Sequence, residues 1–200
     1  MGDTVTPPQV AERAAVAIAV PGKSSTPADD MVAPPTWALT DGFSPAVDKA
    51  ALAALSPLEL TRAFLGGVGG DRVALHHSLE DGFSTAVTLA DAAAYKSLAD
   101  KVALHFAQVA EAADAIHAEL KGRGLGVLAS IVSRANGQEA ERLKLALQLQ
   151  AARHRMASKQ YEADAELKRE VEGLKEQLSA LTVELNDSFS ELRCEAEDLE

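Results

Sequence analysis

Apolar side chains fall into helical registers along most of this chain. From Leu167 on, Leu167, Val171, Leu174, Leu178, Leu181 and Leu185 step strictly by four and three, the heptad seam of a coiled coil. Upstream, Leu149, Ala152, Met156, Gln160, Ala163 and Leu167 step by three, four and four, a period near 3.67 that supercoils little. The spacing predicts one long helix, or two joined end to end, from about Leu125 to Leu199. Its first half is expected to pack on a neighbouring helix, and its second half to project and find another chain. No proline follows Pro57, so nothing in these runs must break them.

A second apolar stripe runs through Tyr95, Leu98, Val102, Phe106, Val109, Ala113, Ile116 and Leu120. It predicts a helix of roughly 30 residues, about 45 Å long at the helical rise. Asp91 suits its N-cap, and Gly122-Arg123-Gly124 carries the glycine signal of its C-terminus. So short a turn folds the next helix back antiparallel. Ser56-Pro57-Leu58-Glu59 reads as a helix start with a capping box, followed by Leu60 and Phe64 on one face. The cluster Gly66-Gly67-Val68-Gly69-Gly70 is expected to weaken or interrupt that first helix, at roughly 1 kcal/mol per glycine. Leu75, Leu79, Phe83 and Val87 then resume it. Asn136-Gly137 is a further point where a helix could pause.

Residues 1–55 read as a disordered arm, because seven of the eight prolines lie there among Ser, Thr and Asp. Trp37 is the only tryptophan. It fits either a tail residue that caps an apolar groove of its own domain or a short docking motif for a partner. Asp41-Gly-Phe-Ser-Pro-Ala-Val47 recurs as Asp81-Gly-Phe-Ser-Thr-Ala-Val87, six of seven positions matching, but two copies do not make a solenoid.

Composition changes the picture in three ways. Aromatics are only 4 %, so helices packed through Ala and Leu are expected rather than a large compact core. The net charge of −11 argues against a dedicated nucleic-acid binder. That charge is polarised: residues 121–159 hold eight basic and two acidic side chains, and residues 160–200 hold four and thirteen. Arg142, Lys144, Arg153 and Arg155 form the heart of this basic belt, with Lys121, Arg123, Arg134 and Lys159 around them. The belt suits an acidic partner, or the acidic tail of a second copy, better than a phosphate track, since no aromatic lies within it for base stacking. The lone Cys194 suits a reducing compartment, no apolar run is long enough to span a membrane, and nothing marks a secreted chain.

Candidate chemistry is sparse. His76 and His77 are adjacent and point to different helix faces, and the other histidines are scattered, so no zinc pair is spaced on a helix. The glycine cluster is followed by Asp71-Arg72 and not by the Lys and Ser or Thr of a phosphate loop. With no paired acid and base either, no catalytic, cofactor or metal site is expected, and the chain is expected not to be an enzyme.

The segment from about Leu58 to Arg155 resembles the required-for-excision-one type B family of DNA repair domains. The resemblance rests on Phe64-Leu65, Arg72, Leu79 with Gly82-Phe83, Tyr95-Lys-Ser-Leu98, Phe106, Leu128-Ala129 with Val132, and Glu139 through Arg142-Leu143 to Leu149-Gln150. Phe83, Tyr95, Phe106, Leu128 and Leu143 are its core positions. Two features depart from the pattern: the glycine cluster, where the family tends to keep helix formers, and His76-His77, where an aromatic is common. The resemblance implies an accessory role in DNA excision repair and a nuclear location. The fold expected is all-α, a helical hairpin or three-helix unit over residues 56–155 with an acidic coiled-coil extension over 156–200. The function expected is a non-enzymatic adaptor working through protein contacts, with a homo-oligomer through the seam. The alternative is a cytoplasmic structural subunit of a cytoskeletal or vesicle-tethering complex, which the same seam would serve.

Overall fold

The structure, a computed structural model, describes residues 51–89, 91–157 and 164–199. Residues 1–50, and with them most of the expected arm, Trp37 and the first copy of the repeat, lie outside the described residues. All regular structure among the described residues is helical. After a short 3-10 turn at Leu52–Ala54 come α1 (Pro57–Arg62), a π-helical turn (Ala63–Val68) and α2 (Gly69–Leu89), end to end in one rod. Three long helices follow: α3 (Ala92–Gly122), α4 (Gly126–Ala157) and α5 (Ala165–Glu197).

The helix ends form where the sequence puts them. Ser56 Oγ accepts from the Glu59 amide at 3.3 Å while Glu59 receives the Ser56 amide at 2.7 Å, which satisfies two otherwise orphan donors. Asp91 accepts from the Ala94 amide at 2.9 Å. Gly124 takes φ of 78°, a left-handed conformation in which a Cβ would be strained, and so turns the chain from α3 into α4.

The glycine cluster does not break the first helix. The chain passes through it as a π-helical turn, and Phe64 and Val68 on that turn are fully buried. Burying two such side chains is worth roughly 1.5–3 kcal/mol each, enough to offset the glycine penalties. Asn136-Gly137 likewise lies inside an unbroken α4. Order also begins earlier than Ser56. Leu52 is buried, and Arg123 at the α3–α4 turn donates to the carbonyls of Leu52 (3.2 Å), Ala53 (3.1 Å) and Leu55 (2.5 Å).

The last helix departs most from expectation. It does not project. Asp164 caps its start, accepting from the Glu166 and Leu167 amides, and α5 runs back along α4 to the beginning of the rod. There Phe189 meets Phe64 edge to face at 6.2 Å, and Leu185 and Leu192 join the main core. The rod, α3, α4 and α5 thus form an up-down-up-down four-helix bundle, each helix packed on the next and the fourth closing onto the first. A smaller apolar cluster of Leu149, Ala152, Leu167 and Val171 seals the far end of the α4–α5 pair.

Candidate functional site

Two polar clusters cross the bundle where apolar packing would be the default. The central one is built on Arg72, one turn past the π-helical segment and buried among the helices. Its Nη2 donates to Asn136 Oδ1 on α4, and Asn136 Nδ2 donates to Asp114 Oδ1 on α3 at 2.8 Å. Its guanidinium lies 6.0 Å from the centre of the Phe64 ring. Glu139, one turn beyond Asn136, is 2 % exposed and meets His76 Nε2 at 3.4 Å and Arg142 Nη1 at 3.6 Å. His76 packs edge-on against Phe106 at 5.0 Å.

Electrostatics follow from burial. Desolvation pushes the Arg72 guanidinium down to about 10, against the pull of Glu139 and Asp114. Burial also lowers His76, only partly opposed by its bond to Glu139, so the imidazole is neutral near pH 7. For Glu139, burial pulls upward, but the bond to His76 and the charges of Arg72 and Arg142 outweigh it and keep the carboxylate ionised. Arg72 Nε and Nη1 have no hydrogen-bond partner.

A pH dependence follows. His76 is depressed in the fold, so the unfolded chain takes up its proton first as pH falls through 6.5, and stability drops there. Glu139 is depressed as well, so its contribution is present above 4.5 and is lost as pH falls below that. Urea midpoints should therefore decline in two stages from pH 7 to pH 4. In His76→Phe the first stage should vanish; its persistence would show that another group titrates there.

The second cluster lies at the other end of the rod. Tyr95 Oη donates to Gln150 Oε1, and Gln150 Nε2 donates to Glu80 at 3.0 Å. Arg153 meets Glu80 at 2.5 Å and covers the Phe83 ring at 4.8 Å. Burial, with Glu80 nearby, pushes the Tyr95 phenol upward. Both clusters tie three elements together; Arg72, Glu139, Tyr95 and Gln150 are buried, while Asp114, Glu80 and Arg153 carry each cluster out to the surface. This suits fixing helix register.

Of the expected site residues, Phe83, Tyr95, Phe106, Leu128 and Leu143 are all buried in the bundle core. The seam is filled from within the chain: Leu167, Val171 and Leu185 are buried, and Leu174, Leu178 and Leu181 half-buried, along the face of α5 that meets α4. The basic belt is matched by the chain's own carboxylates. Arg142 faces Glu139, Lys144 faces Glu141 at 2.9 Å, Arg153 faces Glu80, and Arg155 faces Glu170 of α5 at 2.6 Å. Arg134 pairs with Glu191 of α5 and donates to Ser188 at 3.1 Å. Two of these pairs, Arg134–Glu191 and Arg155–Glu170, join the belt to the acidic α5 of the same chain. Lys159 lies outside the described residues.

The Arg72–Glu139 cluster escaped sequence reading, although its signal is present. Phe64, Val68, Arg72, Leu75, Leu79 and Phe83 step by four, four, three, four and four, which puts an arginine squarely on the apolar face. Glu139 does the same between Ala135 and Leu143.

One concave surface lies apart from both clusters. An open groove of about 530 Å³ runs between the end of α3 and the start of α4, lined by His117, Lys121, Ser130, Ser133 and Arg134 over a floor that includes Gly126 and Gly137. His117 Nδ1 donates to Ala129 O at 2.8 Å, which fixes the ring. Among the described residues, no group of His, Cys, Asp or Glu is arranged to hold a metal ion, and no helix is long and apolar enough to cross a membrane.

Fold and site together define an all-α bundle domain whose helices are keyed to one another by buried charge, with a fourth helix strapped across it. Comparison with known families places it further. The family described as DNA repair REX1-B matches residues 60–153, from the rod through nearly all of α4, and over that stretch the chain is similar to it. The family's name indicates a role in DNA repair. No curated protein and no solved structure matches the chain.

Proposed function

We propose that this protein is a non-enzymatic accessory factor of DNA excision repair, nuclear, and acting through contacts with other proteins. The observation that carries the reading is the family match over residues 60–153, which spans the helices holding both buried polar clusters. The pairing of the belt supports protein contact over DNA contact. A phosphate track needs cations free to exchange counterions. Here Arg134, Arg142, Lys144, Arg153 and Arg155 already face carboxylates. A structural coiled-coil subunit would need the seam for another chain, and α4 occupies it.

Cells from which the protein has been removed should clear ultraviolet photoproducts from genomic DNA more slowly than their parents, and the full chain should restore the rate. Proximity labelling from the restored chain should mark excision-repair proteins. Clearance at the parental rate would overturn the repair role; rescue with no repair protein labelled would overturn the contact mechanism.

A further inference from the structure

We propose that the α3–α4 groove is an acidic-peptide site, and that its resident ligand is the chain's own segment 36–48. The argument is independent of the repair reading and starts from the groove. Its lining offers one lysine, one arginine, one histidine and two serine hydroxyls, and no carboxylate. Lys121, Ser130 and Ser133 are without a partner among the described residues. Arg134 is engaged with Glu191 and Ser188, and His117 with the Ala129 carbonyl. This is local positive potential on a chain of net charge −11, the opposite of what the whole protein presents. The glycine-containing floor lets another backbone come close.

The occupant is argued from where the chain enters the bundle. Arg123, two residues from Lys121, grips the carbonyls of Leu52, Ala53 and Leu55, so the amino-terminal segment reaches the domain at the turn that bounds the groove. Asp41 is ten residues before Ala51, a reach of up to about 33 Å. The groove spans Gly126 to Gly137 on α4, only about 16 Å. A ligand on so short a tether has an effective concentration on the order of millimolar, so weak contacts suffice. The chemistry matches. Segment 36–48 has two aspartates, Asp41 and Asp48, and no lysine or arginine, with Trp37 and Phe43 beside Asp41. Such a segment brings carboxylates to Lys121 and His117 and apolar rings to the small-residue floor. A partner bearing an acidic, aromatic segment would then have to displace the chain's own, which makes the groove a guarded docking site.

Trp37 is the only tryptophan, so its fluorescence reports the segment in the full chain without a label. Docked, its emission should be blue-shifted and shielded from acrylamide relative to the urea-unfolded protein. Lys121→Glu should shift the emission to the red and raise the quenching constant towards the unfolded value, with far-UV circular dichroism unchanged because the Lys121 side chain is exposed and holds no hydrogen bond or ion pair among the described residues. Ser130→Glu, also exposed, is a second variant with the same expected result. Salt at 1 M, where screening acts within about 3 Å, should do so too. A synthetic peptide of residues 36–48 with Trp37 replaced by Phe should compete. A Trp37 already exposed in the native chain would overturn the proposal. So would shielding that neither substitution disturbs, or shielding that depends on protein concentration and therefore comes from a second copy.

Discussion

Glu139→Ala is expected to cost roughly 3–5 kcal/mol of folding free energy, the usual penalty for removing one partner of a buried ion pair. Glu139 is the carboxylate that Arg72, His76 and Arg142 share, and it is 2 % exposed. Without it, Arg72 keeps its bond to Asn136 and the field of Asp114 but loses that of Glu139, the stronger of the two carboxylates acting on it. Arg72→Met should cost much less. Two of its guanidinium nitrogens already lack partners, methionine fills much of the same volume, and Glu139 retains His76 and Arg142. The double variant should recover part of the Glu139→Ala loss, because the stranded cation is gone. Urea unfolding followed by far-UV circular dichroism measures all three. A double variant as unstable as the sum of the singles would show that Arg72 and Glu139 do not compensate each other.

The same cluster shows where sequence reading stops. Helix starts at Ser56 and Asp91 and the turn at Gly124 were legible because each is a local contest for a few backbone groups, decided by residues next door. The stripe from Tyr95 to Leu120 was legible because burial repeats along one helix. Arg72 and Glu139 are 67 positions apart, and only the packing of α4 on the rod brings them together. The glycine cluster was misread for a related reason. Helix propensity counts the cost of each glycine, while the compensating burial of Phe64 and Val68 comes from partners elsewhere in the chain. The groove had no signal at all, since His117, Lys121, Ser130 and Ser133 meet only across the α3–α4 turn.

The seam is the instructive case, because its pattern is plain in the sequence while the helix that covers it, α4 of the same chain in this structure, is not. A heptad repeat states that one face of a helix is apolar at period 3.5; it does not say whose helix covers that face. Asp164, the N-cap of α5, is the one local sign that the chain restarts there instead of continuing. The two arrangements separate in the laboratory. Leu192 is fully buried and Leu185 nearly so, both in the core shared with the start of the rod. Leu185→Ala and Leu192→Ala should each cost roughly 2–5 kcal/mol, whereas Leu174→Ala, at a half-buried position, should cost less. With α4 of the same chain filling the seam, these losses and the melting temperature should be the same across a hundredfold range of protein concentration. A seam between chains would instead give a melting temperature that rises with concentration, because association stabilises by mass action, and would give losses that shrink as the protein is concentrated. That concentration series decides whether α5 is a wall of its own domain or a handle for another.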